Sequence, residues 1–169
     1  MGKVLQCIRC ASPLGPLLMA ENSDGLAGVW FVDQRHFPGP AERWAVRRTP
    51  LLGAAENQVL AYLAGQRRRF ELPLAPLGTP FQHTVWDALG AIPYGRSASY
   101  GDIARVLGRP AAARAVGAAV GRNPLSLIVP CHRVVGCHGA LTGYAGGLER
   151  KRWLLALEAG DEVKEDLRA

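Results

Sequence analysis

Cys131 and His132 stand side by side in the stretch Ile128-Val129-Pro130-Cys131-His132-Arg133-Val134-Val135. A free thiol titrates near ~8.5, so only a few per cent is the nucleophilic thiolate at neutral pH. An imidazole, directly or through a water, can accept the thiol proton. Pro130 closes an apolar run and delivers the pair. A single cysteine is ordinarily a buried apolar filler, so its surroundings must decide. The other cysteines are Cys7, Cys10 and Cys137. Cys7 and Cys10 have CxxC spacing, but the alternation of Val4-Leu5-Gln6-Cys7-Ile8-Arg9-Cys10 reads as a strand, which sends them to opposite faces. No second cysteine pair completes a four-ligand site, and no metal is expected.

The elements that must position Cys131 and His132 fall into two groups. Strands are expected over Val4 to Cys10, Leu17 to Glu21 and Leu26 to Phe31, separated by turn-forming residues. Phe37-Pro38-Gly39-Pro40 marks a loop. Leu51 to Gly65 has helical periodicity, and Phe70 to Leu74 can return as a strand. A boundary near Pro76 divides the chain into 1–76 and 77–169. Beyond it the pattern is helical. Thr79 caps a helix that Pro80 opens and that runs to about Ala91. Ser99 caps a second helix through about Leu107, and Gly108 stops it. Ala111 to Val120 forms a third, and the pair around Gly108-Arg109-Pro110 has a helix-turn-helix layout. That third helix is nearly all small residues; Ala115, Val116 and Ala119 fit a packed face, while Arg114 needs water or an anion. Ser126 to Val129 reads as an extended run into Pro130. Gly136 to Gly147 is a glycine-rich loop carrying Tyr144. The last helix spans Leu148 to Ala159, with Trp153, Leu154 and Leu157 inward.

The chain has 169 residues, and about half are hydrophobic (49%), enough for a real core. No apolar run approaches the ~20 residues of a membrane span, and the N-terminus lacks a secretion signal, so a cytoplasmic protein is expected. The net charge is +6 and unevenly spread: residues 81–152 hold nine Arg/Lys against three Asp/Glu, whereas 153–169 hold two against five. A basic excess around Cys131 favours a polyanionic partner.

Six pieces, in order, resemble the catalytic domain of the O6-alkylguanine-DNA alkyltransferases (methylated-DNA–protein-cysteine methyltransferases). They are Tyr100-Gly101-Asp102-Ile103-Ala104, Arg114-Ala115-Val116-Gly117, Asn123-Pro124, Pro130-Cys131-His132-Arg133-Val134, Gly143-Tyr144-Ala145-Gly146-Gly147-Leu148, and Lys151 with Trp153-Leu154-Leu155 to Glu158. The resemblance implies an α/β N-terminal domain, a ribonuclease-H-like small sheet plus helix. A mostly α catalytic domain of helix-turn-helix or winged-helix type would follow it. It implies direct reversal of DNA damage: the alkyl group of O6-alkylguanine, or less efficiently O4-alkylthymine, moves irreversibly to cysteine, once per molecule and without a cofactor.

Residue roles follow from the same resemblance. Cys131 is the nucleophile and His132 its proton acceptor through a bridging water. Glu158 holds the imidazole, and Asn123 braces the turn. Tyr100 offers its hydroxyl to guanine N3, where a donor stabilises charge that grows as the alkyl group leaves. Arg114 is an arginine finger that fills the place of a base swung out of duplex DNA. Ala113, Ala115 and Gly117 let its helix seat in a minor groove, and Lys151 and Arg133 add structural or phosphate contacts, Arg133 being counted with the DNA-binding residues. Val134 and Cys131 present backbone carbonyls to the guanine amino group. Tyr144, Ala145, Gly146 and Gly147 line the alkyl pocket, Ala145 standing where some relatives have serine. The partner is double-stranded DNA, bound by a monomer, with cooperative assembly left open.

Three rivals stand beside this reading. A non-catalytic alkyltransferase-like lesion-binding protein would lack the reactive cysteine. A helix-turn-helix regulator would need no Cys-His-Glu set. A cysteine hydrolase would turn over repeatedly and need an oxyanion site.

Overall fold

The computed structural model describes residues 5–39, 44–163 and 167. Val4 and Pro40, expected in the first strand and in the proline-rich loop, lie outside them. The chain separates into two compact units: 1–77 with 124–128 and 164–169, and 78–123 with 129–163. The first break falls after Leu77, and the short excursion at 124–128 was not expected.

In the first unit, β1 (Gln6–Cys10), β2 (Leu17–Asn22) and β3 (Gly25–Phe31) form an antiparallel meander. β4 (Ala45–Val46) adds in parallel to β1, giving the order β3-β2-β1-β4. The β2–β3 turn is fixed by Asn22, whose Oδ1 accepts from the N–H groups of Asp24 and Gly25 at 2.8 and 3.2 Å. Gly25 has φ +154°, and a Cβ there would lie 2.6 Å from the Pro73 carbonyl oxygen. Only glycine therefore lets the segment at Pro73 come alongside.

Helix α1 (Pro50–Leu63) begins at Thr49, whose hydroxyl accepts from the Leu52 N–H at 3.1 Å. It buries Leu52, Ala55, Val59, Tyr62 and Leu63. A further cluster gathers Leu5, Cys7, Leu18, Ala20, Ala27 and Trp30, with Trp44 stacked on Trp30 at 5.8 Å. Phe70 to Leu74 does not become a strand; a single parallel bridge joins Leu74 to Leu26. Pro73 and Pro76 have no N–H to continue a ladder.

In the second unit, α2 (Pro80–Gly90) and α3 (Tyr100–Val106) each start in a capping box, Thr79 with Gln82 and Ser99 with Asp102. Gly108, at φ +69°, ends α3. The third helix starts later than expected: Pro110–Ala112 is a 3-10 turn, and α4 runs over Ala113–Gly121. Val116 and Ala119 are buried as expected, but Ala115 is exposed, so the packed face of α4 is Val116, Ala119 and Val120. The Trp86 indole N–H donates to the Ala119 carbonyl at 2.9 Å and ties α2 to α4.

Two short strands, β5 (Ala98–Ser99) and β6 (Val134–Val135), pair in parallel. Helix α5 (Leu148–Ala159) follows Gly147 and stops at the left-handed Gly160. Its inward face is Lys151, Trp153, Leu154 and Glu158, while Leu157 is half-buried rather than core.

Candidate active site

The approach to Cys131 is a turn, not the extended run expected over Ser126 to Val129. The Pro124 carbonyl accepts from the Val29 N–H at 2.8 Å, Leu125 bridges Val29, and the Ser126 N–H returns to the Val29 carbonyl at 3.0 Å. Leu127 then takes φ +73° while almost wholly buried. A left-handed leucine costs roughly 1–2 kcal/mol, which its burial can offset. Asn123 Nδ2 donates to the Val129 carbonyl at 2.9 Å and closes the loop from within the second unit.

Cys131–Arg133 is one 3-10 turn, closed by the Val134 N–H onto the Cys131 carbonyl. Val134–Val135 pairs with Ala98–Ser99, the two residues before Tyr100. The β5–β6 pairing therefore indexes the start of α3 against the Cys-His turn.

Cys131 is buried, with 5% of its surface exposed. Burial pushes its thiol up; the Asn123 side chain, the Lys151 charge and the N–H groups of Cys131 and His132 oppose that. His132 is fully buried, and its Nε2 lies 2.9 Å from Glu158 Oε1. An ionised carboxylate only accepts, so Nε2 carries the proton of a neutral ring and Nδ1 is the basic nitrogen. Burial holds the imidazole below its ordinary value; the Glu158 bond and charge oppose it, while Arg133 and Lys151 reinforce it.

Glu158 is the hub. Arg133 Nε reaches its two oxygens at 3.1 and 2.9 Å, Arg133 Nη2 reaches Oε1 at 2.8 Å, and the Gly95 N–H reaches Oε2 at 3.3 Å. Arg133 Nη1 donates to the Ile92 carbonyl at 2.7 Å, and the guanidinium lies 5.6 Å from the Tyr94 ring centroid. The expected DNA contact by Arg133 is corrected here: its side chain is 9% exposed and its N–H groups are turned inward. Lys151 is fully buried too, its ammonium donating to the carbonyls of Val134, Thr142 and Gly143 at 2.5, 2.9 and 3.4 Å. The Val134 carbonyl thus accepts from Lys151 and the Cys131 carbonyl from the Val134 N–H.

The Tyr144 hydroxyl is buried with no hydrogen-bond partner among the described residues. Burial, then the Cys131 charge, raise it well above its ordinary value, while Arg150 opposes them. Ala145 is half-buried and Gly146 buried beside it. Tyr100 is half-buried at the first turn of α3, and a Cβ on Gly117 would lie 3.7 Å from its ring. Arg114 is exposed at the start of α4, with Ala113 and Gly117 half-buried and Ala115 exposed. Asn123, Cys131, His132 and Glu158 are therefore drawn into one network. Arg114 belongs to a separate, outward surface. The sequence reading left structural and phosphate contacts open for Arg133 and Lys151, and did not name their inward partners. A signal existed for the second: Lys151, Leu154 and Glu158 are spaced to share one helical face, so a buried Leu154 carries both charges inward.

Comparison with known proteins now bears on the assignment. Residues 80–160 match the family described as 6-O-methylguanine DNA methyltransferase, DNA binding domain, and residues 7–76 match its ribonuclease-like domain. A methylated-DNA–protein-cysteine methyltransferase of Methanosarcina acetivorans is 48% identical over 147 residues, 87% of this chain and 94% of that protein. The chain belongs to the methylated-DNA–protein-cysteine methyltransferase family.

The Mycobacterium leprae methylated-DNA–protein-cysteine methyltransferase is 47% identical over 158 residues, covering 92% of this chain and 93% of its own length. A crystal structure of Mycobacterium tuberculosis OGT in complex with DNA superposes with a TM-score of 0.82 at 44% identity, covering 92% of each chain. The two-domain methyltransferase fold, a small-sheet domain followed by a helical one, is therefore the fold of this chain. Among the described residues no helix is long and apolar enough to cross a membrane.

Proposed function

We propose that this chain repairs alkylated DNA by direct reversal, as a methylated-DNA–protein-cysteine methyltransferase that acts once. The observation that carries the reading is a cysteine beside a buried imidazole whose other nitrogen is held by a carboxylate at 2.9 Å, in a chain 48% identical to a protein of that name.

The step balances without a cofactor. The Cys131 thiol gives its proton to His132 Nδ1 through a water. The sulfur attacks the alkyl carbon, the S–C bond forms, and the C–O6 bond breaks with its electron pair going to guanine. The guanine anion then takes the proton back. Glu158 holds the ring and stabilises the imidazolium, and Asn123 braces the turn that presents Cys131. Tyr100 donates to guanine N3, the carbonyls of Val134 and Cys131 accept from its amino group, and Tyr144, Ala145 and Gly146 line the alkyl pocket.

The substrate is O6-alkylguanine, and less efficiently O4-alkylthymine, in duplex DNA approached from the minor groove. Extruding a base costs a few kcal/mol, and Arg114 occupies the vacated stack. The exposed Ala115 and half-buried Ala113 and Gly117 support this, because they leave α4 narrow around Arg114. The protein acts as a monomer in the cytoplasm.

Incubation with duplex DNA carrying radiolabelled O6-methylguanine should place at most one label per chain, on the peptide containing Cys131, and none in Cys131→Ala. Repeated turnover, or label elsewhere, contradicts the assignment; DNA binding without any label favours the lesion-binding alternative. Arg114→Ala should slow duplex repair more than reaction with free O6-benzylguanine.

A further inference from the structure

We infer that Arg133 is a positioning residue that fixes the orientation and ionisation of Glu158, and through it the tautomer of His132, rather than a contact to DNA. The inference rests on the functional reading above. A guanidinium cannot lose its charge in a protein. Here it is planar-matched to a carboxylate through Nε and Nη2, anchored on the far side by the Ile92 carbonyl at 2.7 Å, and covered by the Tyr94 ring. That bidentate grip allows one rotamer of Glu158. In it Oε1 faces His132 Nε2 and Oε2 faces the Gly95 N–H.

Two consequences follow. A carboxylate buried this deeply would otherwise gain a proton, and a protonated acid no longer holds Nε2–H as an acceptor. Arg133 keeps it charged. The same cation stands against imidazolium formation, so the resting ring stays neutral and Nδ1 unprotonated, able to accept the thiol proton. The other groups that set this balance are Glu158 and Lys151 around His132, and Asn123 and Lys151 around Cys131, while Cys131 and Arg150 act on Tyr144.

Arg133→Lys and Arg133→Gln in the full chain test the inference. Reaction rates with free O6-benzylguanine and with duplex O6-methylguanine should fall by the same factor, about 100-fold for glutamine and less for lysine. The acid limb of the pH–rate profile should move to higher pH for glutamine, and by less for lysine, which keeps the charge but not the bidentate fork. Losing Arg133 lets Glu158 protonate and lets His132 charge more readily, and both effects have that sign. Affinity for DNA and its salt dependence should not change. A phosphate contact would instead reduce the slope of log affinity against log salt by about 0.9.

An unaltered rate with the free base, or a reduced salt slope, overturns the inference. Should the glutamine variant fail to fold, the lysine variant and the wild-type ring decide. Nitrogen-15 spectra of wild-type His132 should show the Nε2–H tautomer; Nδ1–H would refute the proposal. Failure of wild-type Cys131 to take label would instead sink the functional reading itself, independently of these outcomes.

Discussion

Glu158→Gln keeps the shape of the hub and removes its charge. In the native chain the carboxylate is 1% exposed and faces a guanidinium at 2.8 Å whose side chain is 9% exposed. An amide leaves that cation uncompensated. Breaking a buried ion pair from one side costs about 3–5 kcal/mol. In a unit of fewer than about 100 residues each kcal/mol moves a midpoint by roughly 4–8 °C, so the transition of the second unit should fall by about 12–40 °C. Calorimetry reads this directly, and far-ultraviolet melts confirm it. The second unit must be followed separately, because two compact units need not unfold as one.

Adding Arg133→Met removes the orphaned cation and should recover much of the lost stability. Alkyl transfer behaves differently. The single variant should react with free O6-benzylguanine about 10²–10⁴ times more slowly, measured well below its melting point, and the double variant should stay as slow. A midpoint within about 2 °C of wild type for Glu158→Gln would show that the pair is not the dry, coupled one drawn here. Recovery of rate alongside stability in the double variant would reduce Glu158 to a structural role.

The remaining expectations concern other parts of the chain. Tyr144→Phe removes a buried hydroxyl that has no partner among the described residues, so it should raise stability by about 1–3 kcal/mol; a lower melting point would refute the geometry. Cys137 is exposed, whereas burial and then Glu56 push Cys10 up to about 12. Peptide mapping after iodoacetamide treatment of the native protein should therefore find Cys137 alkylated first and Cys10 untouched, and early loss of Cys10 would contradict this. Burial holds the His132 imidazole below its ordinary 6.5, so the unfolded chain binds more protons between the folded value and 6.5. Stability should be full above about pH 6.5 and fall as pH drops below it; a midpoint that does not decline on acidification would count against a buried neutral ring.

What the sequence disclosed followed the range of the interactions. Thr79 and Ser99 were readable as caps because each bonds a residue three positions on. Gly108 and Gly160 were readable because a left-handed stop is a single-residue property. Strands β4, β5 and β6 were not, since each is two residues long and exists only through a partner far along the chain. The Leu127 turn escaped for a related reason: its backbone is set by bonds to Val29, not by its own preference. Cys131, His132, Asn123 and Glu158 were legible through their motifs and meet in one network. Arg133 was left open between a structural and a phosphate contact, because local sequence does not say where an arginine beside a histidine points. Its partners Ile92 and Glu158 are 41 and 25 residues away.

The charges of that network explain why a thiol pushed upward by burial can still react. Arg133 and Glu158 cancel each other through their bidentate pair. His132 rests neutral. Lys151 remains, a buried ammonium held by three neutral carbonyls and opposed by no carboxylate among them. The Cys131 thiolate, when it forms, is an anion that this ammonium stabilises. Each member of the Cys131–Lys151 pair shifts the other towards ionisation, against the burial that both suffer. Desolvation keeps the sulfur protonated while the site is idle, and the ammonium lowers the cost of the one moment when it is not. A site arranged this way needs no permanently ionised cysteine, which fits a nucleophile that is spent only once.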